Sequence, residues 1–303
     1  MTSLTTKPLT VSSAAPDTAA VVSAEPRELA RGHRALRWVA RQPGLVLAFV
    51  CVMIVVAWVV APGLFTADDP LTGSISERLL PPSAQHPFGT DALGRDMYSR
   101  VVHGAVTSIQ AILIAVGVAL VVGSLIGLAA GFFGRAVDDV LMRIVDVVLA
   151  IPSLLLSMAL ITILGYGLVN VAIAVGLASV ANFARLMRAD VMRVRTSLYV
   201  EAARAAGCGW QTILFRHVLP NSAGSVVAVA ALEFGTAVLA VSALSFLGYG
   251  APAPTPEWGR LVSEGRDFIA TAWWLVTFPG LVITLLVLAT NRIARALEKG
   301  GRQ

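Results

Sequence analysis

Residues 45–61 read LVLAFVCVMIVVAWVVA and contain no charged residue and no proline. A helix of this length, at about 1.5 Å per residue, lies at the lower limit for crossing roughly 30 Å of hydrocarbon. Pro62 and Gly63 end the run. A cleaved signal peptide would contain a similar run, but the long polar stretch ahead of it favours a retained membrane anchor.

Further apolar segments follow this run along the chain. They lie at 106–132, 138–164, 168–188, 223–247 and 272–294. These segments are too long for the strands of a soluble sheet and lack the alternation of barrel strands. Because a backbone in hydrocarbon must satisfy its own hydrogen bonds, we expect each of them to be helical. The sequence therefore predicts an all-α integral membrane protein with six transmembrane helices, in a domain that spans 45–297.

The composition agrees with a membrane protein and excludes several other classes. Of 303 residues, 56% are hydrophobic and 14% are charged, whereas soluble proteins carry roughly 25% charged residues. Two cysteines are too few for a secreted disulfide scaffold. The net charge of +5 is better explained by basic residues retained on the cytoplasmic side than by nucleic-acid binding, because the chain lacks interleaved aromatic and basic residues. We expect no nucleic-acid partner.

The distribution of basic residues predicts the orientation in the membrane. With the N-terminus inside, most of the 23 lysines and arginines fall in the inner segments. The exceptions are Arg78, Arg95, Arg100, Arg260 and Arg266. This bias predicts that both termini are cytoplasmic, since cytoplasmic segments of membrane proteins retain basic residues. It also makes 62–105 an extracytoplasmic segment and 189–222 a cytoplasmic loop.

The regions outside the predicted membrane domain are short. Residues 1–26 are rich in Ser, Thr, Ala and Pro, which predicts a disordered cytoplasmic tail. Residues 27–44 form a basic juxtamembrane segment, either a short helix on the anionic inner leaflet or a plain topology signal. Residues 298–303 are expected to form a second cytoplasmic tail.

The sequence offers no catalytic or metal-binding constellation. A Walker-type phosphate loop needs a lysine followed by Ser or Thr, but Pro8 follows Lys7 and Gly300 follows Lys299, and there is no other lysine. The four histidines show no metal-ligand spacing. We therefore expect no catalytic residue, no metal and no cofactor in this chain, and we do not expect it to be an enzyme by itself.

The predicted spans contain few ionisable residues. Asp146 lies near the inner end of the third span and is predicted to pair with Arg143 at i−3. Glu233 lies deeper, in the fifth span, where it is either a paired or protonated carboxyl at a helix interface or part of a translocation path. So few charges argue against a stand-alone channel or an ion-driven transporter, which remain remote alternatives.

Small residues recur inside the second span. Gly123, Gly127 and Gly131 are four residues apart, so they share one helix face. This pattern is typical of close helix packing in membranes.

The predicted cytoplasmic loop contains residues 199–221, YVEAARAAGCGWQTILFRHVLPN. Ser197 is predicted to cap a short alanine-rich helix through its hydroxyl, and Gly207 to end it. A second short helix is predicted from about 210 to 217, before Leu219 and Pro220 turn the chain into the fifth span. This bent segment is either a simple interfacial helix pair or a rigid element that another protein can move.

The loop resembles the EAA loop of ABC importer permeases. That loop has EAA, three residues, Gly, nine residues and then I-x-L-P. The positions in register are Glu201, Ala202, Ala203, Gly207, Leu219 and Pro220. His217 occupies the usual Ile position, a departure that resembles the peptide-importer branch. The resemblance implies that the matching residues couple this chain to an ATPase.

Other motifs resemble the same branch. Residues 86–96, HPFGTDALGRD, are similar to its signature before the second span, and 146–155, DVVLAIPSLL, to its third-span motif. Residues 245–250, 254–259 and 278–280 resemble its last outer loop and last span. Over roughly 40–297, the chain is thus identified as resembling the C-type permease subunit of dipeptide, oligopeptide or nickel ABC importers.

The resemblance implies a type I ABC importer permease fold in a bacterial inner or plasma membrane. The partners it implies are a second homologous permease in a heterodimer, two ABC ATPase subunits or one fused ATPase, an extracytoplasmic substrate-binding protein and the lipid bilayer. ATP and Mg²⁺ would be bound by the ATPases. Peptide is the favoured cargo, because no His/Cys cluster is evident; nickel or another small solute stays open.

The signature segment has two possible roles. Its candidate residues are Gly89, Thr90, Asp91, Gly94, Arg95 and Asp96. Asp91 and Arg95 are predicted to pair at i, i+4 spacing, and the two glycines to allow tight turns. The segment either braces the extracytoplasmic side or docks the binding protein.

Overall fold

A computed structural model describes residues 43–300 of the chain. Its helices are α1 (Pro43–Val60), α2 (Met97–Phe133), α3 (Arg135–Ala150), α4 (Ser153–Leu164), α5 (Leu168–Arg195), α6 (Leu198–Ala205), α7 (Trp210–Thr212), α8 (Leu219–Phe246), α9 (Trp258–Gly265) and α10 (Trp274–Gly300). Within this range there is no strand, only an isolated bridge between Thr90 and Asp96. The predicted tail 1–26 and most of the basic segment 27–44 lie outside the described residues.

Five helices of the described chain are long and apolar enough to cross a membrane. They are α1, α2, α5, α10 and the Val229–Phe246 part of α8. Helix α2 begins at Met97, inside the predicted extracytoplasmic segment, because Asp96 caps it by accepting a hydrogen bond from the Ser99 backbone N–H at 2.7 Å. The predicted all-helical fold is therefore confirmed at this level.

The third predicted span, 138–164, is not one straight helix. Helices α3 and α4 are bent by 99° relative to each other, and only together would they count as a sixth span. Pro152 explains the break, since proline lacks an N–H and disfavours helical geometry in the residue before it. Ile151 is accordingly extended, with φ −97° and ψ 129°. The expectation of a continuous helix over this range was wrong.

The predicted glycine face packs α2 against α5. A Cβ on Gly123 would lie 2.6 Å from the Val180 carbonyl oxygen, and one on Gly131 would lie 2.8 Å from the Val191 side chain. A Cβ on Gly127 would overlap the Ala184 carbonyl oxygen. The two backbones approach so closely that no larger residue fits, which confirms the packing role inferred from the spacing.

We expect Gly127→Val to destabilise the folded chain by about 1–3 kcal/mol or more. This is the usual cost of overpacking, and the clash here is with rigid backbone. Gly117→Val is the matched control: it lies in the same helix, and a Cβ at Gly117 meets no atom within 4 Å. Thermal unfolding of the two purified variants in detergent measures the difference. Equal midpoints would contradict this account of the α2–α5 contact.

The acidic side chains of α3 pair with arginines of α5 rather than within α3. Asp146 accepts a hydrogen bond from Arg185 at 2.7 Å, so the predicted pair with Arg143 was wrong. Arg188 binds Asp138 through both carboxylate oxygens, at 2.5 and 2.6 Å. Because α5 runs alongside α3, its long arginine side chains reach carboxylates of α3.

Candidate functional sites

The bent segment, residues 197–218, begins directly after α5. Ser197 precedes α6 but does not cap it: its hydroxyl donates to the Val194 carbonyl at 2.6 Å, so the predicted capping hydrogen bond was wrong. At the other end, Gly207 has φ +81°. Its N–H bonds the Arg204 carbonyl at 3.0 Å, and the Cys208 N–H bonds the Ala203 carbonyl at 3.1 Å. This is a Schellman ending, which confirms Gly207 as the helix stop.

One face of the bent segment is anchored in the helical core. Val200 and Val218 are fully buried, and Ile213 and Leu214 nearly so. They belong to one apolar cluster with residues of α5, among them Met187 and Val191. The anchoring side chains hold the segment against the long helix α5.

The second short helix is not a separate element. A single turn, α7, continues through a π-helical stretch, Ile213–Val218, straight into α8. Pro220 lies inside the first turn of α8, where its missing N–H is tolerated. The predicted turn at Leu219–Pro220 was therefore wrong. Residues 210–218 of the bent segment are therefore an N-terminal extension of the fifth predicted span.

The opposite face of the bent segment is exposed. Glu201, Ala202 and Gly207 are all exposed, and Ala203 is half-buried. Nothing lies within 4 Å of a Cβ placed on Gly207. Large apolar side chains flank this low-profile surface and are unusually exposed for their type: Leu198 (84%), Trp210 (53%) and Phe215 (62%). An exposed apolar surface of this kind marks an interaction site.

The second candidate site, in the segment before α2, is a buried charge network centred on Asp91. One carboxylate oxygen of Asp91 accepts from the backbone N–H groups of Leu93 and Arg95, at 2.8 and 2.9 Å. The other accepts from Arg95 Nε and from Arg100 Nη1, both at 2.7 Å. The predicted Asp91–Arg95 pair is confirmed, and all three side chains are buried.

The remaining signature residues fix the same segment. Gly89 and Gly94 both have φ +71°, which L-residues adopt only with strain. Thr90 is fully buried: its hydroxyl donates to the Glu77 carbonyl at 2.5 Å. Asp96 caps α2 and also bonds His86 Nδ1 at 2.9 Å. The signature folds into a compact, internally satisfied loop.

The network extends to residues that the sequence did not single out. Arg100 Nη1 also bonds Glu264 Oε2, at 2.9 Å, and Arg260 Nε bonds Glu264 Oε1 at 2.7 Å. Burial alone would raise the pKa of Glu264, but Arg100 and Arg260 outweigh it and hold that pKa below its ordinary value. Two features of the sequence could have indicated this network: Arg100 stands close to the start of an apolar span, and the predicted outer segments contain more carboxylates than basic residues.

A second buried carboxylate lies beside this network. Glu257 caps α9 by accepting hydrogen bonds from the Gly259 and Arg260 backbone N–H groups, at 3.1 and 2.9 Å. Complete burial raises its pKa above the ordinary value, and these hydrogen bonds only partly oppose that effect. Helix α9 thus positions Arg260 and Glu264 toward the start of α2.

Glu233 lies midway along α8. Asn182 Nδ2 of α5 donates to Glu233 Oε1 at 3.0 Å, and the Thr236 hydroxyl donates to Glu233 Oε2 at 2.7 Å. The carboxylate lines a cavity of about 380 Å³. Glu233 is therefore hydrogen-bonded at a helix interface and also faces an open space.

No group that could hold a metal ion occurs in the described part of the chain. Both cysteines, Cys51 and Cys208, are free thiols.

Relatives of the chain are membrane components of transport systems. Residues 123–303 match the binding-protein-dependent transport system inner membrane component family. The chain is 44% identical over 256 residues to the dipeptide transport system permease protein of Alkalihalophilus pseudofirmus, across 83% of this chain and 84% of that protein. It is 38% identical over 262 residues to the probable D,D-dipeptide transport system permease protein of Escherichia coli K12, across 84% and 88% of the two chains.

Solved structures share the fold. A chain of the inward-facing MetNI methionine ABC transporter superposes with a TM-score of 0.52 at 18% identity, covering 66% of this chain and 97% of that one. A chain of an amino acid ABC transporter superposes with the same TM-score of 0.52 at 14% identity, covering 67% and 94%. At these identities the likeness concerns the fold alone.

Proposed function

Because the chain belongs to the family of binding-protein-dependent transport system inner membrane components, we propose that it forms half of the translocation path for di- and oligopeptides in an ATP-driven importer. The observation that carries this proposal is the 44% identity to a dipeptide permease over 84% of that protein's length. The chain is a permease subunit of an ABC importer.

ATP binding and hydrolysis, with Mg²⁺, belong in this proposal to partner ATPases. The exposed Ala/Gly face of the bent segment, flanked by Leu198, Trp210 and Phe215, would sit in a groove of one ATPase. Glu201, Ala202, Ala203 and Gly207 form the contact, while Leu219 and Pro220 join the segment to α8. Closure of the ATPases would then move the bent segment and, through α8, the membrane domain.

The assembly contains a second, homologous permease and an extracytoplasmic substrate-binding protein. A single chain of this size encloses little space for a peptide, whereas two related chains can form a path between them. We propose six spans with the broken pair α3–α4 counted as one, and both termini in the cytoplasm, since most basic residues then lie inside. The membrane is the inner or plasma membrane of a bacterium.

The signature residues 89–96 brace the extracytoplasmic end in this proposal. Support comes from the burial and hydrogen bonding of Thr90, Asp91 and Asp96, which leave these side chains little surface for a partner. Gly89, Gly94 and Arg95 complete the loop. The binding protein would dock on the surface that this network holds in place.

The cargo follows from the relatives and from the absence of a metal-binding group in the described residues. Nickel needs a cluster of His, Cys or carboxylate ligands, and the described chain offers none with three members. Peptide is therefore the proposed cargo.

Co-purification tests the proposed assembly. When the chain is tagged and extracted in mild detergent from cells that produce its partners, we expect ATPase subunits and a second permease to elute with it. The ATPase activity of the eluate should rise when the binding protein and a dipeptide are added. A chain that elutes alone, with no ATPase activity in its fraction, would contradict the proposal.

A further inference from the structure

The cavity beside Glu233 lies between two helices that are long and apolar enough to cross a membrane. Asn182 is near the midpoint of α5 and Glu233 near the midpoint of α8. Thr236 and Asn182 are exposed, and Glu233 is half-buried. These polar side chains would be costly against lipid, so this face of the chain lies against protein or water.

The broken span supplies an independent sign of water at this place. Ile151 and Pro152, where α3 ends and α4 begins, line the same cavity. Both residues are exposed. A non-helical backbone at membrane depth is tolerated only where it is buried in protein or lines a water-filled cavity. The exposed break therefore indicates that this face does not lie against lipid, and in our proposal it lines the water-filled path between this chain and the second permease.

The carboxylate of Glu233 has hydrogen-bond donors around it but no counter-ion. None of the ion pairs formed among the described residues involves Glu233. Its two partners, Asn182 and Thr236, are neutral. A negative charge in a water-filled membrane cavity without a basic partner attracts a mobile cation.

The geometry offers acceptors that suit a primary ammonium group. Glu233 provides its charged oxygens. Asn182 donates through Nδ2, so its side-chain carbonyl oxygen is still available as an acceptor. The Thr236 hydroxyl donates its proton to Glu233, so the lone pairs of the hydroxyl oxygen can accept a further hydrogen bond. An ammonium group carries three N–H donors and no acceptor. A divalent metal fits less well, because no further carboxylate, His or Cys completes a ligand set among the described residues.

We propose that Glu233, with Asn182 and Thr236, binds the primary ammonium group of the solute as it passes through the path; this rests on the proposed function and names the substrate chemistry of the path. The site selects for a free amino group by charge rather than by side-chain shape. Glu233 lies about one turn inside the apolar part of α8, Val229–Phe246, where a passing peptide would meet it.

Charged thiol reagents test the site without depending on transport. Ser179, which is half-buried and lines the cavity, is changed to Cys in a protein whose Cys51 and Cys208 are Ser. The complete complex in membrane vesicles is treated with 2-aminoethyl methanethiosulfonate, a primary ammonium, and with its anionic 2-sulfonatoethyl analogue. We expect Glu233→Gln to lower the ammonium-to-sulfonate rate ratio roughly tenfold.

Matched controls separate charge from access. Methyl methanethiosulfonate is neutral and should modify the cysteine at position 179 equally fast with Glu233 or Gln present, which shows that the cavity is unchanged. Asp139→Asn removes an exposed carboxylate of α3 that does not line the cavity and should leave the ratio unchanged. A cysteine in place of Ala84, in the exposed extracytoplasmic loop, gives the intrinsic ratio of the two reagents.

The outcomes distinguish this site from the proposed function. An unchanged rate ratio in Glu233→Gln, in a complex that keeps its ATPases, would overturn the ammonium site alone. If the chain had no ATPase partners and the rate ratio still fell in Glu233→Gln, the result would contradict the proposed importer but support a cation site. If added Ni²⁺ lowered the ratio with Glu233 present while an added dipeptide did not, the site would bind a metal ion rather than an ammonium group, and the proposal would be overturned.

Discussion

Gly207→Trp is expected to abolish ATP-driven uptake while the protein still inserts into the membrane. The Cβ position at Gly207 is open to at least 4 Å, so the indole would project from the exposed face of the bent segment rather than into the chain. There it would occupy the space that the ATPase needs. Disrupting the centre of an interface costs at least about 2 kcal/mol, or roughly a 30-fold loss of affinity.

Gly207→Ala and Gly207→Asn are the controls for this variant. Alanine shares the strain of φ +81°, which costs about 1 kcal/mol, but adds almost no bulk. Asparagine tolerates left-handed geometry better than other non-glycine residues. Uptake and ATPase co-purification are measured in the same vesicles at matched protein levels. Normal uptake by Gly207→Trp, or an equal loss in all three variants, would contradict a docking role for this face.

Asp91→Ala is expected to destabilise the segment before α2 by about 3–5 kcal/mol. The substitution removes the carboxylate that accepts at 2.7 Å from both buried arginines, Arg95 and Arg100, and leaves them only the partly exposed Glu264 as an acidic partner. Removing one partner of a buried ion pair leaves buried charge uncompensated, and this cost is far larger than that of an exposed pair. The expected result is a lower unfolding temperature and poor accumulation in the membrane.

Asp68→Ala is the comparison for Asp91→Ala. Asp68 is an exposed carboxylate of the same extracytoplasmic segment, and we expect its loss to change stability by less than about 0.5 kcal/mol. If Asp91→Ala unfolded at the wild-type temperature and instead lost affinity for the binding protein, docking rather than bracing would be the role of residues 89–96.

Features that depend on neighbours in sequence could be predicted. The apolar runs locate the helices, the four-residue spacing of Gly123, Gly127 and Gly131 locates the α2–α5 contact, and the i, i+4 spacing pairs Asp91 with Arg95. Helix geometry sets the first two features, whereas Asp91 and Arg95 meet across a tight turn that precedes α2; in both cases residues close in sequence decide the contact.

Features that depend on tertiary packing could not be predicted. Arg100 and Glu264 are 164 residues apart, and nothing local joins them. Asp146 had a candidate partner at i−3, but the bend of α3 presents it to Arg185 instead. The bend itself had a local signal, since proline disfavours helical geometry in the residue before it; the apolar character of 138–164 outweighed Pro152 in the prediction.

We expect this chain to move solute only when an external ATPase drives it. The direct test is uptake of a labelled dipeptide into proteoliposomes containing the chain alone, the chain with its homologous permease, or the full assembly with ATPases, binding protein and internal ATP. We expect uptake only in the full assembly with ATP present. Uptake by vesicles that hold this chain alone would contradict the account.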